Sequence, residues 1–172
     1  MINFNYVGKT NVESLIKKVG QIKDWNKYQF RQKTFDVHKH TKTIPLIFNE
    51  DFRLKDPTYH THYDKYKKEI EKFKTIFSKK FGKGYIIRAI LVNLLSEKSI
   101  PQHIDNGDSL HFCKRVHIPI ITNKKVYFSV GEEKKNLKSG EMWEINNSKK
   151  SHAVKNNSKE DRIHLIIDWI VE

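Results

Sequence analysis

"SHAVKNNSKEDRIHLIIDWIV" (151–171) decides much of the fold. A short apolar segment, "SHAV" (151–154), leads into the polar turn "KNNSKED" (155–161). Ten residues rich in β-branched and aromatic side chains follow, "RIHLIIDWIV" (162–171). Runs of this kind, bounded by Asn, Ser, Lys and Asp clusters, read as strands. Joined by a turn centred near Asn157 to Lys159 they predict a hairpin, with Arg162 across from His152 within one or two residues. Cross-strand neighbours lie roughly 5–8 Å apart.

Further strands are expected at "YIIRAILVNLL" (85–95), "RVHIPII" (115–121), "KVYFSV" (125–130) and "EMWEI" (141–145), with turns such as "TNK" and "GEEKKNLKSGE" between them. Short strands at this spacing predict a sandwich or barrel. Before Gly84 the pattern differs. A helix is expected over 11–22, capped by Asn11, with Val12, Leu15, Ile16 and Val19 on one face. "HKHTKTIPLIF" (38–48) reads as extended, with Pro45 marking a break or an edge. A second helix, 63–82, places Tyr66, Ile70, Phe73, Ile76 and Phe77 on one face and ends at Gly82. These helices should pack outside the β core. No repeat or linker interrupts the chain, so residues 1–172 are expected to form one domain, a helical and extended part over 1–84 and a β core over 85–172.

The chain has 172 residues, enough to bury a sizeable core, and a single cysteine, Cys113, which excludes an internal disulfide. No apolar run approaches a membrane span, and "MINFNYVGKT" lacks the apolar stretch of a signal peptide, so a cytoplasmic protein is expected. The net charge of +13 suggests a nucleic-acid partner, but of 33 basic residues only 5 are Arg. Phosphate clamps and base readers rely on Arg forks, so the Lys excess is read as background. The same scarcity makes any Arg inside an apolar strand worth noting.

The chain contains two H-x-D pairs, His103–Asp105 in "PQHIDNG" (101–107) and His62–Asp64. About half of one is expected by chance from the composition. Asp64 falls in the first turn of a predicted helix, where a carboxylate offsets the helix dipole, and this accounts for it. His38 and His40 read as exposed positions on a strand. His103 and Asp105 instead follow a long apolar strand, and side chains two apart on extended backbone point the same way. His152 is the candidate third ligand. Two His and one carboxylate with open positions suit non-haem Fe(II). Arg162 nearby suits the far carboxylate of an organic acid that chelates the metal.

The ordered set H-x-D, R-x-H, G-E-x-W-E, H-x-V-x-N and R-x-H-L-x-x-D, from about Tyr85 to Trp169, resembles the aspartyl/asparaginyl β-hydroxylase family. The resemblance implies a double-stranded β-helix of the jelly-roll, cupin-like kind. It implies an Fe(II)- and 2-oxoglutarate-dependent dioxygenase that consumes O2, with ascorbate as an auxiliary reductant, and releases succinate and CO2. His103, Asp105 and His152 would be the iron ligands and Arg162 would bind the distal carboxylate of 2-oxoglutarate. Arg115 and His117 would hold the cosubstrate from the side, and Asn93 would reach it too. The founding vertebrate enzyme lacks the carboxylate ligand that Asp105 supplies here, so its acceptor specificity does not transfer. An amino-acid side chain, in a polypeptide or a free amino acid, is the expected substrate. His164, Trp143, Trp169 and Asp168 read as structural, Asp168 as an acceptor for backbone donors. Two rival readings are a cupin-like metal-binding protein without turnover and a basic nucleic-acid-binding module.

Overall fold

The computed structural model describes residues 2–172. In chain order its elements are β1 (Phe4–Lys9), α1 (Glu13–Gly20), α2 (Phe30–Thr34), a 3-10 turn (Asp36–His38), β2 (Thr41–Ile47), α3 (Tyr63–Phe81), β3 (Gly84–Leu94), β4 (Ser99–His103), α4 (Asp108–Phe112), β5 (Lys114–Ile121), β6 (Val126–Val130), β7 (Glu133–Lys135), β8 (Glu141–Ile145), β9 (His152–Asn156) and β10 (Arg162–Val171). The strands form two antiparallel sheets, ordered β1-β8-β5-β10-β3-β2 and β4-β9-β6-β7. An apolar cluster drawn from both sheets, including Phe4, Leu94, Phe128 and Val154, lies between them. The fold is mainly β, a two-sheet jelly roll with helices outside, as expected.

Alternation along β10 organises the molecule. Its register sets Arg162 opposite Leu94, His164 opposite Val92, Ile166 opposite Ile90 and Asp168 opposite Arg88, while β5 sets His117 opposite Ile166 and Arg115 opposite Asp168. Opposed residues share a sheet face. One face therefore carries Arg162, His164, Asp168, Arg88, Arg115 and His117 toward the smaller sheet. The other carries Ile163, Leu165, Ile167 and Trp169, which pack with α1 and α3 in the main core.

The two expected helices form, as α1 and α3, whereas the short helices α2 and α4 were not expected. The Asn11 side chain accepts the Glu13 backbone N–H at 2.8 Å at the start of α1. Leu15 and Val19 are buried, but Ile16 is 40% exposed, so the buried stripe is narrower than expected. In α3, Tyr66, Ile70, Phe73 and Phe77 are buried, Ile76 is only partly so, and Gly82 follows at φ 99°. Pro45 lies on the edge strand β2, beside a register shift between Pro45 and Ile47. His38 is not on that strand, which starts at Thr41. Phe73 is 2% exposed, so Phe73→Ala should destabilise the fold by roughly 3–5 kcal/mol. Lys67, Lys68 and Lys79 are exposed on the same helix, and their joint change to Gln should cost no more than about 0.5 kcal/mol each. Melting curves of the two variants check this.

The hairpin expected over 151–171 does not form. β9 pairs with β4 and β6 in the smaller sheet, whereas β10 pairs along its length with β3 and β5 in the larger. Residues 157–161 arch from one sheet to the other. The Asn156 amide donates to the carbonyl oxygens of Glu160 at 2.8 Å and Leu95 at 3.2 Å, which anchors the arch at its base. Arg162 and His152 consequently stand on different sheets and face one cavity between them.

Candidate metal centre and its arginines

β4 places His103 at its last residue, opposite His152, the first residue of β9. The two rings lie 4.2 Å apart between centroids. Asp105 follows two residues on, where its backbone N–H donates to the Asn147 carbonyl at 3.0 Å. His103 Nε2 is 3.5 Å from Asp105 Oδ1, and His152 Nε2 is 3.7 Å from Asp105 Oδ2. One donor atom from each residue lies within 4.8 Å of the others, a spacing that could hold one metal ion. His103 Nδ1 donates to the Pro101 carbonyl at 2.8 Å, which leaves the Nε2 lone pair aimed into the site.

Asp105 Oδ2 accepts from Asn147 Nδ2 at 2.6 Å and from Arg115 Nη1, so Oδ1 is the oxygen left for a metal. Burial pushes the Asp105 carboxyl up, but Arg115, His103, His152 and Asn147 outweigh it and hold it well below the ordinary carboxylate range. Burial pushes His152 down to about 4 against the pull of Asp105, so its imidazole is neutral at physiological pH, the form that ligates. Two imidazole nitrogens and one carboxylate oxygen on one side of a site match the donor set of non-haem Fe(II).

The sequence pointed to Arg115 as a cosubstrate contact, but its guanidinium is committed to protein carboxylates. Nε and Nη2 donate to Asp168 Oδ1 and Oδ2, both at 2.8 Å, and Nη1 donates to Asp105. Arg88 Nη1 donates to Asp168 from the other side, and Arg88 Nη2 reaches Ser109 Oγ at 3.2 Å. Asp168 thus joins two buried guanidiniums rather than backbone donors. Asn93 is also misplaced by the sequence reading. It pairs with Ile163, on the helix-covered face, and donates to Asp161 at 2.8 Å. His117 does face inward, its ring centroid 5.0 Å from that of Phe128 and 5.9 Å from that of His164. His62 and Asp64 lie apart from the site, at the start of α3.

Arg162 is 1% exposed, and its Nη2 donates to His164 Nδ1 at 2.6 Å. Its Nε has no partner, and among the described residues no carboxylate lies within ion-pair distance. Burial pushes its pKa down to about 9, which leaves it a cation at neutral pH. Burying a guanidinium without a counter-charge is costly, so this arrangement suits a site that receives an anion. His103, Asp105, His152, His117 and Arg162 line one cavity, with Val92, Phe128 and Ile166 among its apolar walls.

A second cavity, of about 400 Å³, opens on the other side of His103 and Asp105. Phe35, Phe48, Phe52, Ile90 and Leu110 give it apolar walls, and Arg31, His38 and Arg88 contribute polar atoms. His38 was expected to be an exposed strand residue. Its ring instead lies 5.8 Å from that of His103 and its Nε2 accepts from Arg31 Nη2 at 2.8 Å. Four of the five arginines therefore line one or both of the two cavities. The fifth, Arg53, pairs with Asp51 on the surface.

The sequence profile of the aspartyl/asparaginyl β-hydroxylases matches residues 9–171. The chain belongs to that family. It is a hydroxylase. No curated protein matches it. Among solved structures, the oxidoreductase of the 2OG-Fe(II) oxygenase family from Burkholderia pseudomallei superposes with a TM-score of 0.61 at 14% identity, covering 77% of this chain and 69% of that one. A nickel complex of the non-heme monooxygenase ThoJ gives 0.58 at 11% identity, covering 98% and 74%. A prolyl-4-hydroxylase from Pseudomonas putida gives 0.55 at 7% identity, covering 99% and 93%. At these identities the likeness is one of fold.

Proposed function

We propose that this hydroxylase holds one Fe(II) through His103 Nε2, Asp105 Oδ1 and His152 Nε2, and that Arg162 receives the distal carboxylate of 2-oxoglutarate. The reaction inserts one oxygen atom of O2 at an unactivated carbon of an amino-acid side chain, in a polypeptide or a free amino acid, and releases succinate and CO2. The observation that carries this reading is the buried Arg162, without a protein counter-charge, on the same cavity as the His103–Asp105–His152 cluster.

When bound, the iron supplies the redox chemistry that couples oxygen activation to decarboxylation of the cosubstrate. The protein's residues do the rest. Pro101 fixes the His103 tautomer, and Asn147 and Arg115 fix the carboxylate of Asp105. Arg162 gives a planar fork for one end of a dicarboxylate, oriented by His164. His117 borders the same cavity. The aromatic cavity on the far side of Asp105 is left for the substrate, within the range usual for small-molecule sites. A cupin-like metal binder without turnover would have no use for Arg162. A nucleic-acid module would need a continuous basic face, and its binding would weaken steeply with salt.

The test is incubation with Fe(II), ascorbate and 2-oxoglutarate across a panel of amino acids and peptides. Succinate formation and a mass gain of one oxygen are expected for some member. Arg162→Met should raise the 2-oxoglutarate requirement by the equivalent of about 2–5 kcal/mol with iron still bound. Arg162→Lys should recover part of this, since an ammonium does not reproduce the fork. An unchanged 2-oxoglutarate requirement in Arg162→Met would refute the assignment.

A further inference from the structure

We propose that Arg31 anchors the substrate: the molecule oxidised carries a carboxylate that pairs with the Arg31 guanidinium and an apolar body that fills the aromatic cavity beside His103 and Asp105. The inference rests on the functional reading above and specifies the substrate class for the same site.

Charge matching around the cavities leads to it. Arg88 and Arg115 are matched by Asp168 and Asp105 through direct ion pairs. Arg162 is assigned to the cosubstrate. One buried cation is left, Arg31, only 8% exposed. Its side-chain partners are uncharged: Nη1 donates to Thr43 Oγ1 at 3.2 Å, and Nη2 donates to His38 Nε2 at 2.8 Å. Accepting that bond requires His38 to be neutral at Nε2, so the histidine orients the guanidinium without adding charge. Among the described residues no carboxylate is within ion-pair distance of Arg31. Asp36, at the cavity edge, is exposed and does not pair with it.

Position and shape give the remaining specificity. Arg31 lines both the cavity of the His103–Asp105–His152 cluster and the aromatic one, so an anion bound to it would sit between them. The walls beyond are Phe35, Phe48, Phe52, Ile90 and Leu110, which favour an apolar body. The Arg88 guanidinium that borders this cavity lies against the rings of Phe48 and Phe52, at 5.2 and 4.9 Å, and is already paired with Asp168. It does not compete for the substrate's charge.

The experiment is calorimetric titration of Mn(II)- and 2-oxoglutarate-loaded protein with matched acids and amides: L-leucine against L-leucinamide, and 3-phenylpropanoate against 3-phenylpropanamide. At least one acid should bind about tenfold or more tightly than its amide, a difference of roughly 1.4 kcal/mol or more. In Arg31→Met that preference should collapse to near parity, while the affinity for 2-oxoglutarate stays at its wild-type value. Arg31→Lys, which keeps the charge and loses the fork, should weaken the acid and spare the amide; it serves as the test variant if Arg31→Met does not fold. Equal binding of every acid and its amide, no binding by any acid, or a preference that survives in the Arg31 variants would overturn the proposal. A wild-type protein that fails to bind 2-oxoglutarate would instead sink the functional reading, and the acid–amide comparison, repeated without cosubstrate, would still report on Arg31.

Discussion

His152→Ala protein should purify folded and without iron, and should form no product, whereas His62→Ala should match wild type in both respects. The two residues are the second histidine of the proposed centre and the histidine of the rival H-x-D pair. His152 faces His103 across the β4–β9 ladder and is 6% exposed, with Nε2 3.7 Å from Asp105 Oδ2. Its removal leaves two donors for an ion that needs three. Loss of an outer-shell partner alone weakens metal binding by roughly 10–100-fold, and loss of a direct donor should exceed that. Asp105→Asn should lose iron as well, because the amide is a poorer donor and no longer pairs with Arg115. Metal analysis after gel filtration, alongside a melting curve, reads the result. Equal loss of iron in His62→Ala and His152→Ala would show that the metal sits elsewhere.

Asp168→Asn should lower stability by about 3–5 kcal/mol, because one carboxylate neutralises two buried guanidiniums. Asp168 is 0% exposed, Arg88 2% and Arg115 8%, so little solvent is available to screen the loss. For a chain of this length the melting temperature should fall by roughly 6–20 °C. The pH dependence follows from the sign of the shift. Burial pushes the Asp168 carboxyl up, Arg115 and Arg88 outweigh it, and the folded-state value lies below the ordinary one. The stabilisation is therefore complete above the unfolded carboxylate value of about 4 and declines as the pH falls through the lowered folded value. The gap between wild type and variant should be constant from neutral pH to about pH 5 and narrow in stronger acid. A variant that melts with wild type at neutral pH would show that the network contributes nothing.

Much of this was legible in the sequence, and what was not has identifiable causes. Alternation and turn residues marked most of the longer strands, and the apolar stripe of α3 marked the helix that covers the sheet. β4 was hidden because "SIPQH" contains a proline and three polar residues; its pairing with β9 shows only in the fold. The 151–171 segment was misread as a hairpin because a polar turn between two strands looks the same whether they pair or arch between sheets. The candidate donor set His103, Asp105 and His152 was visible as an ordered pattern. The side of the strand was not visible for Asn93, since β3 is buried on both faces and offers no polar alternation. Arg115 was read as a cosubstrate contact because its partner Asp168, 53 residues away, meets it only through the β5–β10 register. Arg88 had a signal, an arginine inside an apolar strand of a chain poor in arginine. Arg31, within "YQFRQKTF" (28–35), is buried only by tertiary packing, which its sequence context does not show.

Anaerobic titration of Fe(II)-loaded protein with 2-oxoglutarate tests the central claim most directly, because it asks whether the metal cluster and Arg162 act as one site. The account predicts one 2-oxoglutarate per chain, binding that requires the metal, and a loss of affinity in Arg162→Met with iron retained. Binding of iron without 2-oxoglutarate, or 2-oxoglutarate binding unaltered in Arg162→Met, would contradict it.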